Sequence, residues 1–217
     1  FEMLEASLVF AETGLAAEAE SLLSAVCVEA APEAQRRALP LYYLAYFASL
    51  QDDAARARDY LNQAAAAHKD FEFPSRPETL DVLRYAVREN PNDASAHLHI
   101  GNLYTHLGRT EEAVDHWQKA AQLNPSLSVA HRNLGLYAWA TEEDLPKAER
   151  YYREAIVVRP KDQTLYRDLA EILLARGKRG AAIEVLESTP SDKLRRADII
   201  VMLAQVYSDE QRYTDAI

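Results

Sequence analysis

Apolar residues in this chain recur at helical spacing, in pairs of short stretches. Ile100, Leu103, Tyr104 and Leu107 lie three and four residues apart, the stripe of an amphipathic helix. Ala113, Trp117 and Ala120 form a second stripe, with Gly108 between the two. Two such stripes around one glycine predict two antiparallel helices and a tight turn. The pairing returns along the chain, marked by a small alanine at Ala19, Ala57, Ala113, Ala148, Ala182 and Ala216. Successive gaps are 38, 56, 35, 34 and 34 residues. A period near 34 predicts stacked helical hairpins rather than one globular core.

The residue types fit that geometry. Helices that cross closely need small side chains, and Gly101 with Ala113, Gly135 with Ala148, and Ala170 with Ala182 supply them. Larger residues (Ile100, Tyr104, Trp117, Leu134, Tyr152, Leu169, Leu186) fill the space between hairpins. Gly108 and Gly177 stand where a helix must stop and turn, favouring a positive φ. Pro91, Pro125 and Pro160 end second helices, because proline lacks the helical donor. Asn92, Asp93, Ser126 and Asp162 are candidate caps for the helices that follow. On this reading Gly101→Leu overpacks a crossing, whereas Leu98→Ala costs little stability.

One unit, Ala94 to Pro125, reads ASAHLHIGNLYTHLGRTEEAVDHWQKAAQLNP. The order His97, Ile100, Gly101, Tyr104, Ala113, Trp117, Ala120, Pro125 resembles the tetratricopeptide repeat (TPR) family, with His97 in place of the usual tryptophan. Ser128 to Pro160 matches through His131, Leu134, Gly135, Ala148, Tyr152, Ala155 and Pro160, with an extra turn residue near Glu142 to Leu145. A third unit runs from Gln163 through Tyr166, Leu169, Ala170, Leu173, Gly177, Ala182 and Leu186. A fourth starts near Ala197, with Leu203, Ala204, Tyr207 and Ala216, and stops at Ile217. The resemblance implies an all-α fold, a right-handed α-solenoid of antiparallel helical hairpins.

The first half is looser. Residues 1–67 read as degenerate hairpins. Gly14 turns the first, with Ala19, Leu23 and Val26 on its second helix. In the next, Leu44, Ala45 and Ala48 face Ala57, Leu61 and Ala64. Residues 68–91 form an irregular connection, broken near 68–77, and a single helix from Glu78 to Glu89. Residues 92–217 carry the regular array. The break either bends or splits the stack, or is an insertion without functional meaning.

Composition narrows the picture. With 34 acidic against 24 basic residues, the net charge is −10. That argues against nucleic-acid binding, which needs a basic field, and against an anionic membrane surface. The basic spots Arg176, Lys178, Arg179 and Lys193, Arg195, Arg196 read as solvated turns. No apolar run approaches the roughly 18 residues of a membrane span. The single cysteine, Cys27, excludes an intrachain disulfide and reads as a small buried hydrophobe. The chain opens on Phe1 and ends inside a repeat, so a fragment of something longer is expected. The compartment is not legible, with the cytoplasm favoured.

No catalytic or metal-binding constellation is evident, and neither an enzyme nor a cofactor is expected. His97 and His99 lie on different sides of a helix, His99 and His106 share a face, and His116 sits on the partner helix. They read as surface or groove histidines. Glu111–Glu112 and Glu142–Glu143 belong to turns and first helical turns, where they favour the helix dipole.

What remains is a binding surface. The family resemblance implies a concave groove lined by first helices, holding a protein or peptide ligand. Carried over by alignment, its residues are Tyr42, Tyr46 and Ser49; Leu98, Asn102 and Thr105; Arg132, Asn133, Leu136 and Trp139; Arg167, Glu171 and Leu174; then Val201, Gln205 and Ser208. Tyr43 and Phe47 are expected to pack internally, whereas Tyr42 and Tyr46 stay open between packing and groove. Some family members clamp a C-terminal carboxylate. Asn102 and Asn133 match that arrangement, but Leu98 stands where lysine is expected and Asp168 where a basic residue is expected. Acidic tails are therefore not expected to bind. Arg132, Arg167, Asp168 and Glu171 suggest a partner of mixed charge, or one held by apolar anchors. Other domains of the same chain are alternative partners, as is self-association through Val206, Tyr207 and Tyr213. Asp70 to Arg88 is also similar to a region of large bacterial proteins with an N-terminal β-rich domain. This implies an accessory repeat segment of a carbohydrate-related protein whose chemistry lies elsewhere.

Overall fold

In a computed structural model, the described residues are 2–26, 37–67, 73–190 and 196–209. They form twelve helices: α1 (Glu2–Glu12), α2 (Ala16–Ser24), α3 (Ala38–Leu50), α4 (Ala54–Ala66), α5 (Thr79–Glu89), α6 (Ala94–His106), α7 (Thr110–Leu123), α8 (Ser128–Ala140), α9 (Leu145–Val158), α10 (Gln163–Ala175), α11 (Arg179–Glu187) and α12 (Ala197–Asp209). The all-α, hairpin-by-hairpin class read from the sequence is the observed one. Cys27, Lys193, Arg195, Tyr213, Ala216 and residues 68–72 of the expected break lie outside the described residues. The chain divides into two compact units, Phe1–Asn124 and Pro125–Ile217.

In the first unit α1–α2, α3–α4 and α6–α7 are hairpins, and α5 packs on both α3 and α6. Helix α3 is apolar almost throughout, ALPLYYLAYFASL, and ten of its thirteen residues are buried. A helix that is hydrophobic all round must be covered all round, and α1, α2, α4 and α5 all touch it. Polar atoms on this buried helix find partners. Tyr42 donates to Asp93 at 2.9 Å, and Tyr43 shares a 2.7 Å hydrogen bond with Thr79. Glu20, buried on α2, accepts from Gln51 at 2.6 Å and Tyr60 at 3.2 Å, and lies 3.3 Å from Arg56. That cluster pins α2 to α3 and α4. Val26 falls beyond the end of α2 and is exposed, unlike Ala19 and Leu23.

In the second unit α8–α9 and α10–α11 are hairpins, with α10 against α9 and α12 against α11. One core cluster joins Ala148, Tyr152, Leu165, Leu169, Ile172, Leu173, Ala182, Leu186 and Ile199. The close crossings lie where small residues were expected. A Cβ on Gly101 would stand 2.5 Å from Trp117 Cδ1, and one on Gly135 would stand 2.7 Å from Tyr152 Cδ2.

Helix ends follow local chemistry. Asp93 accepts from the amides of Ser95 and Ala96, and Asp162 from that of Thr164. Asp53 and Asp144 cap α4 and α9 in the same way. Asn92 and Ser126 are not caps: Asp93 holds the N-cap of α6, and α8 starts after Leu127 without a side-chain cap. Gly108 and Gly177 adopt φ of +74° and +71°, whereas Asp52 and Glu143 take the same left-handed conformation without being glycine. Glu143 lies in the turn that carries the extra residue.

Candidate functional site

The solvent-facing surface with the richest chemistry lies within the second unit, on α8, α10 and α12. Asp168 of α10 is buried and accepts from Arg167 Nε at 3.0 Å and Nη2 at 2.6 Å. Tyr152 donates to it at 3.4 Å, and Arg132 of α8 lies 3.9 Å away. Arg167 also reaches Asp198 of α12 at 3.4 Å, and Asp198 is held by Arg196. These ion pairs tie three first helices together. Glu171 sits 3.8 Å from Arg167, farther than Asp168 and Asp198 do. Burial raises the Glu171 pKa above the usual carboxylate range; Arg167 opposes that rise, and Asp168 and Asp198 reinforce it. Beside these charges, Leu136 is 45% exposed, Val201 is exposed, and Trp139 is half-buried against the core. Asn133 is half-buried on the same helix as Arg132.

In the first unit the expected groove residues separate. Tyr42 is fully buried and Leu98 is 2% exposed, so neither presents a side chain to a ligand. Leu98 belongs to the core of its unit and not to an open groove, which argues against the expectation that its truncation costs little stability. Tyr43 and Phe47 are buried as expected. Tyr46 is half-buried, edge-on to Tyr85, in a shallow depression lined also by Ser49, Leu50, Asp81, Arg84 and Arg88. Asn102 is engaged by Trp117, whose Nε1 donates to its Oδ1 at 3.0 Å.

Three features escaped the sequence reading. Arg176 and Lys178 are not free basic turns: with Arg153 they converge on Glu149 of α9, which is almost fully buried. Burial works against the Glu149 carboxylate, but hydrogen bonds from Lys178 and Arg153 outweigh it and hold its pKa below the ordinary value. Val206 and Tyr207 are buried, so they offer no apolar surface for self-association. Of the histidines, His106 is exposed as expected, but others are not surface groups. His97, His99 and His131 are buried, and His97 lies 3.0 Å from His116, Nδ1 to Nδ1. His97, His131 and Tyr166 occupy one repeat position, and each bonds the carbonyl of the proline six residues before it: Pro91, Pro125 and Pro160. The repeat spacing was the signal for that latch.

Residues 94–127 and 132–193 each match a family model described as tetratricopeptide repeat. The solved structure of MamA matches 76% of this chain and 86% of its own, at 19% identity and a TM-score of 0.56. That of YrrB, described as a TPR protein with an unusual peptide-binding site, matches 83% and 81%, at 18% identity and a TM-score of 0.53. Both share the fold. The chain thus carries tetratricopeptide repeats over residues 94–127 and 132–193, and such repeats support a role as a protein–protein interaction scaffold. Human protein O-mannosyl-transferase TMTC3 is 26% identical over 190 residues, 81% of this chain and 20% of that protein. The chain thus spans about a fifth of the length of the curated relatives it matches. Among the described residues no helix is long and apolar enough to cross a membrane.

Proposed function

We propose that the α8, α10 and α12 face of the second unit holds a peptide or partner helix, with Arg132, Asn133, Leu136, Trp139, Arg167 and Glu171 as its contacts. The observation that carries this reading is exposed apolar surface at Leu136 and Val201 beside a network of paired charges. Apolar anchors supply the binding energy, and the charges select the partner and fix register. Tyr46 and Asn102 are proposed separately, as ligand contacts of the first unit by itself, and YrrB, which shares the fold, is described as having an unusual peptide-binding site. Leu136→Glu should abolish capture of partners by the intact chain and leave its thermal midpoint unchanged. Val157→Glu, at an exposed position on α9, is the control. Equal capture by both variants removes the reading.

Acidic C-terminal tails are not the ligand. Asp168 occupies the position where a carboxylate would need a cation, and it already draws on Arg132 and Arg167. Calorimetry with an acidic tail peptide should show no binding, and micromolar affinity would contradict this.

A second reading is an accessory repeat segment of a longer carbohydrate-related protein, with its chemistry elsewhere. The likeness to a protein O-mannosyl-transferase over a fifth of that protein's length favours it. Sequencing the complete gene separates the two: a glycosyltransferase domain in the same reading frame supports the second.

A further inference from the structure

We propose that His97 and His116 form an acid-sensitive latch, which holds the α6–α7 hairpin closed at neutral pH and releases it when both rings are protonated. The two Nδ1 atoms are 3.0 Å apart, and the rings are tilted with centroids 5.1 Å apart. The Pro91 carbonyl, 3.2 Å from His97 Nε2, can only accept, so it fixes the hydrogen of neutral His97 on Nε2. His97 Nδ1 is then bare, and His116 must donate to it. A single added proton still leaves one bare nitrogen between the rings, and the bond survives. A second proton sets N–H against N–H, with two like charges in a half-buried setting.

The surroundings oppose that second charge. Burial lowers the pKa of both rings below the ordinary histidine value. At His97 the Pro91 carbonyl and Asp93 work against this and Lys119 adds to it. At His116 the His97 ring and Arg84 of α5 add to it and Asp115 opposes it. Tyr104 contributes a neutral ring, 5.6 Å from that of His116, and Asp93 is also occupied by Tyr42 of α3 and by the α6 amides. Because the folded-state values are lowered, the stabilisation is complete above about pH 6.5 and is lost as the pH falls below it.

The second unit supplies an internal contrast. His131 makes the same bond to its proline carbonyl, but its Nδ1 faces the Glu154 carboxylate at 3.0 Å. A carboxylate, not a second ring nitrogen, stands opposite this Nδ1, so an opposed N–H pair has no counterpart there. Acid should therefore open α6–α7 and spare α8–α9.

Trp117 reports on the latch, because it is buried on α7 beside Gly101. The chain has two tryptophans, so Trp139→Phe leaves Trp117 as the sole tryptophan, read by excitation at the red edge where tyrosine does not absorb. Between about pH 7.5 and about pH 5, Trp117 emission should shift to the red. Amide exchange in α6–α7, corrected for its intrinsic pH dependence, should rise about tenfold, the equivalent of one buried hydrogen bond. His116→Gln in the same background keeps a donor without a titratable charge and should abolish both changes. An unchanged acid response in that variant, a flat signal, or equal opening of α8–α9 overturns the latch. If the variant does not fold, histidine Cε1 proton titration of the unaltered chain decides. Separate steps below about pH 6.5 support the latch, and a joint step at or above that value overturns it.

Discussion

Adding one methyl group to Gly101 or to Gly108 disturbs the same hairpin for unrelated reasons. At Gly101 the new Cβ meets Trp117 at 2.5 Å and the Ala113 carbonyl oxygen at 3.1 Å. Gly101→Ala should therefore cost about 1–3 kcal/mol through overpacking. At Gly108 nothing lies within 4 Å, but φ is +74°. Gly108→Ala should cost about 1–2 kcal/mol through backbone strain alone. Urea unfolding of both variants in a Trp117→Leu background tells them apart: the Gly101 cost should shrink and the Gly108 cost should stay. Leu98→Ala belongs with the core substitutions and should cost about 2–5 kcal/mol, whereas Leu136→Ala, at an exposed position, should cost well under 1 kcal/mol. The crossings at Gly101 and Gly135 were legible because small residues recur in register, but that Trp117 and Tyr152 pack into those crossings, and not only between hairpins, was not. Leu98 was not, because one stripe of a helix does not reveal which neighbours cover its flank.

At the scale of elements, the hairpins are joined by buried carboxylates as well as by apolar faces. Glu20 holds α2 to α3 and α4, and Glu149 holds α9 to the turn between α10 and α11. Glu149→Gln would leave Arg153, Arg176 and Lys178 without their counter-charge and should cost about 2 kcal/mol. The Glu149 pKa is depressed in the folded chain, so its stabilisation is present above the ordinary carboxylate value and fades as the pH falls through the lower folded one. Thermal midpoints should thus converge for the parent and the Gln variant at acid pH and separate near neutrality. A constant difference across that range would contradict the assignment. The caps at Asp93 and Asp162 and the turns at Gly108 and Gly177 were readable because they depend on residues two to four apart. The Glu149 cluster joins residues up to 29 apart in the chain, with no periodic trace.

For the molecule as a whole, charge is unevenly divided. Residues 1–124 hold 19 acidic and 10 basic side chains, and residues 125–217 hold 15 and 14. Self-repulsion therefore acts mainly on the first unit, and attraction among paired charges mainly on the second. Raising NaCl from about 10 mM to about 300 mM should slow amide exchange in the first unit, where screening relieves repulsion. In the second it should leave exchange unchanged or speed it, because the Asp168–Arg167–Asp198 network is screened. Parallel responses in the two units would refute this division. The overall charge of −10 gave no hint of the asymmetry until the boundary at Asn124 was known.

The sequence by itself determined that the chain makes helical hairpins, roughly where most helices start and stop, and where backbones approach closely. These depend on local hydrogen bonding, on glycine and proline, and on a period that repeats near 34 residues. Only the tertiary structure decided which polar groups are buried and with whom. It sealed Tyr42 and Leu98 away, paired His97 with His116 but His131 with Glu154, and turned the apparent basic patch at Arg176 and Lys178 into the counter-charge of Glu149. The physical reason is that burying a charge or an imidazole is tolerable only with a matched partner, and that partner comes from whichever helix packs alongside.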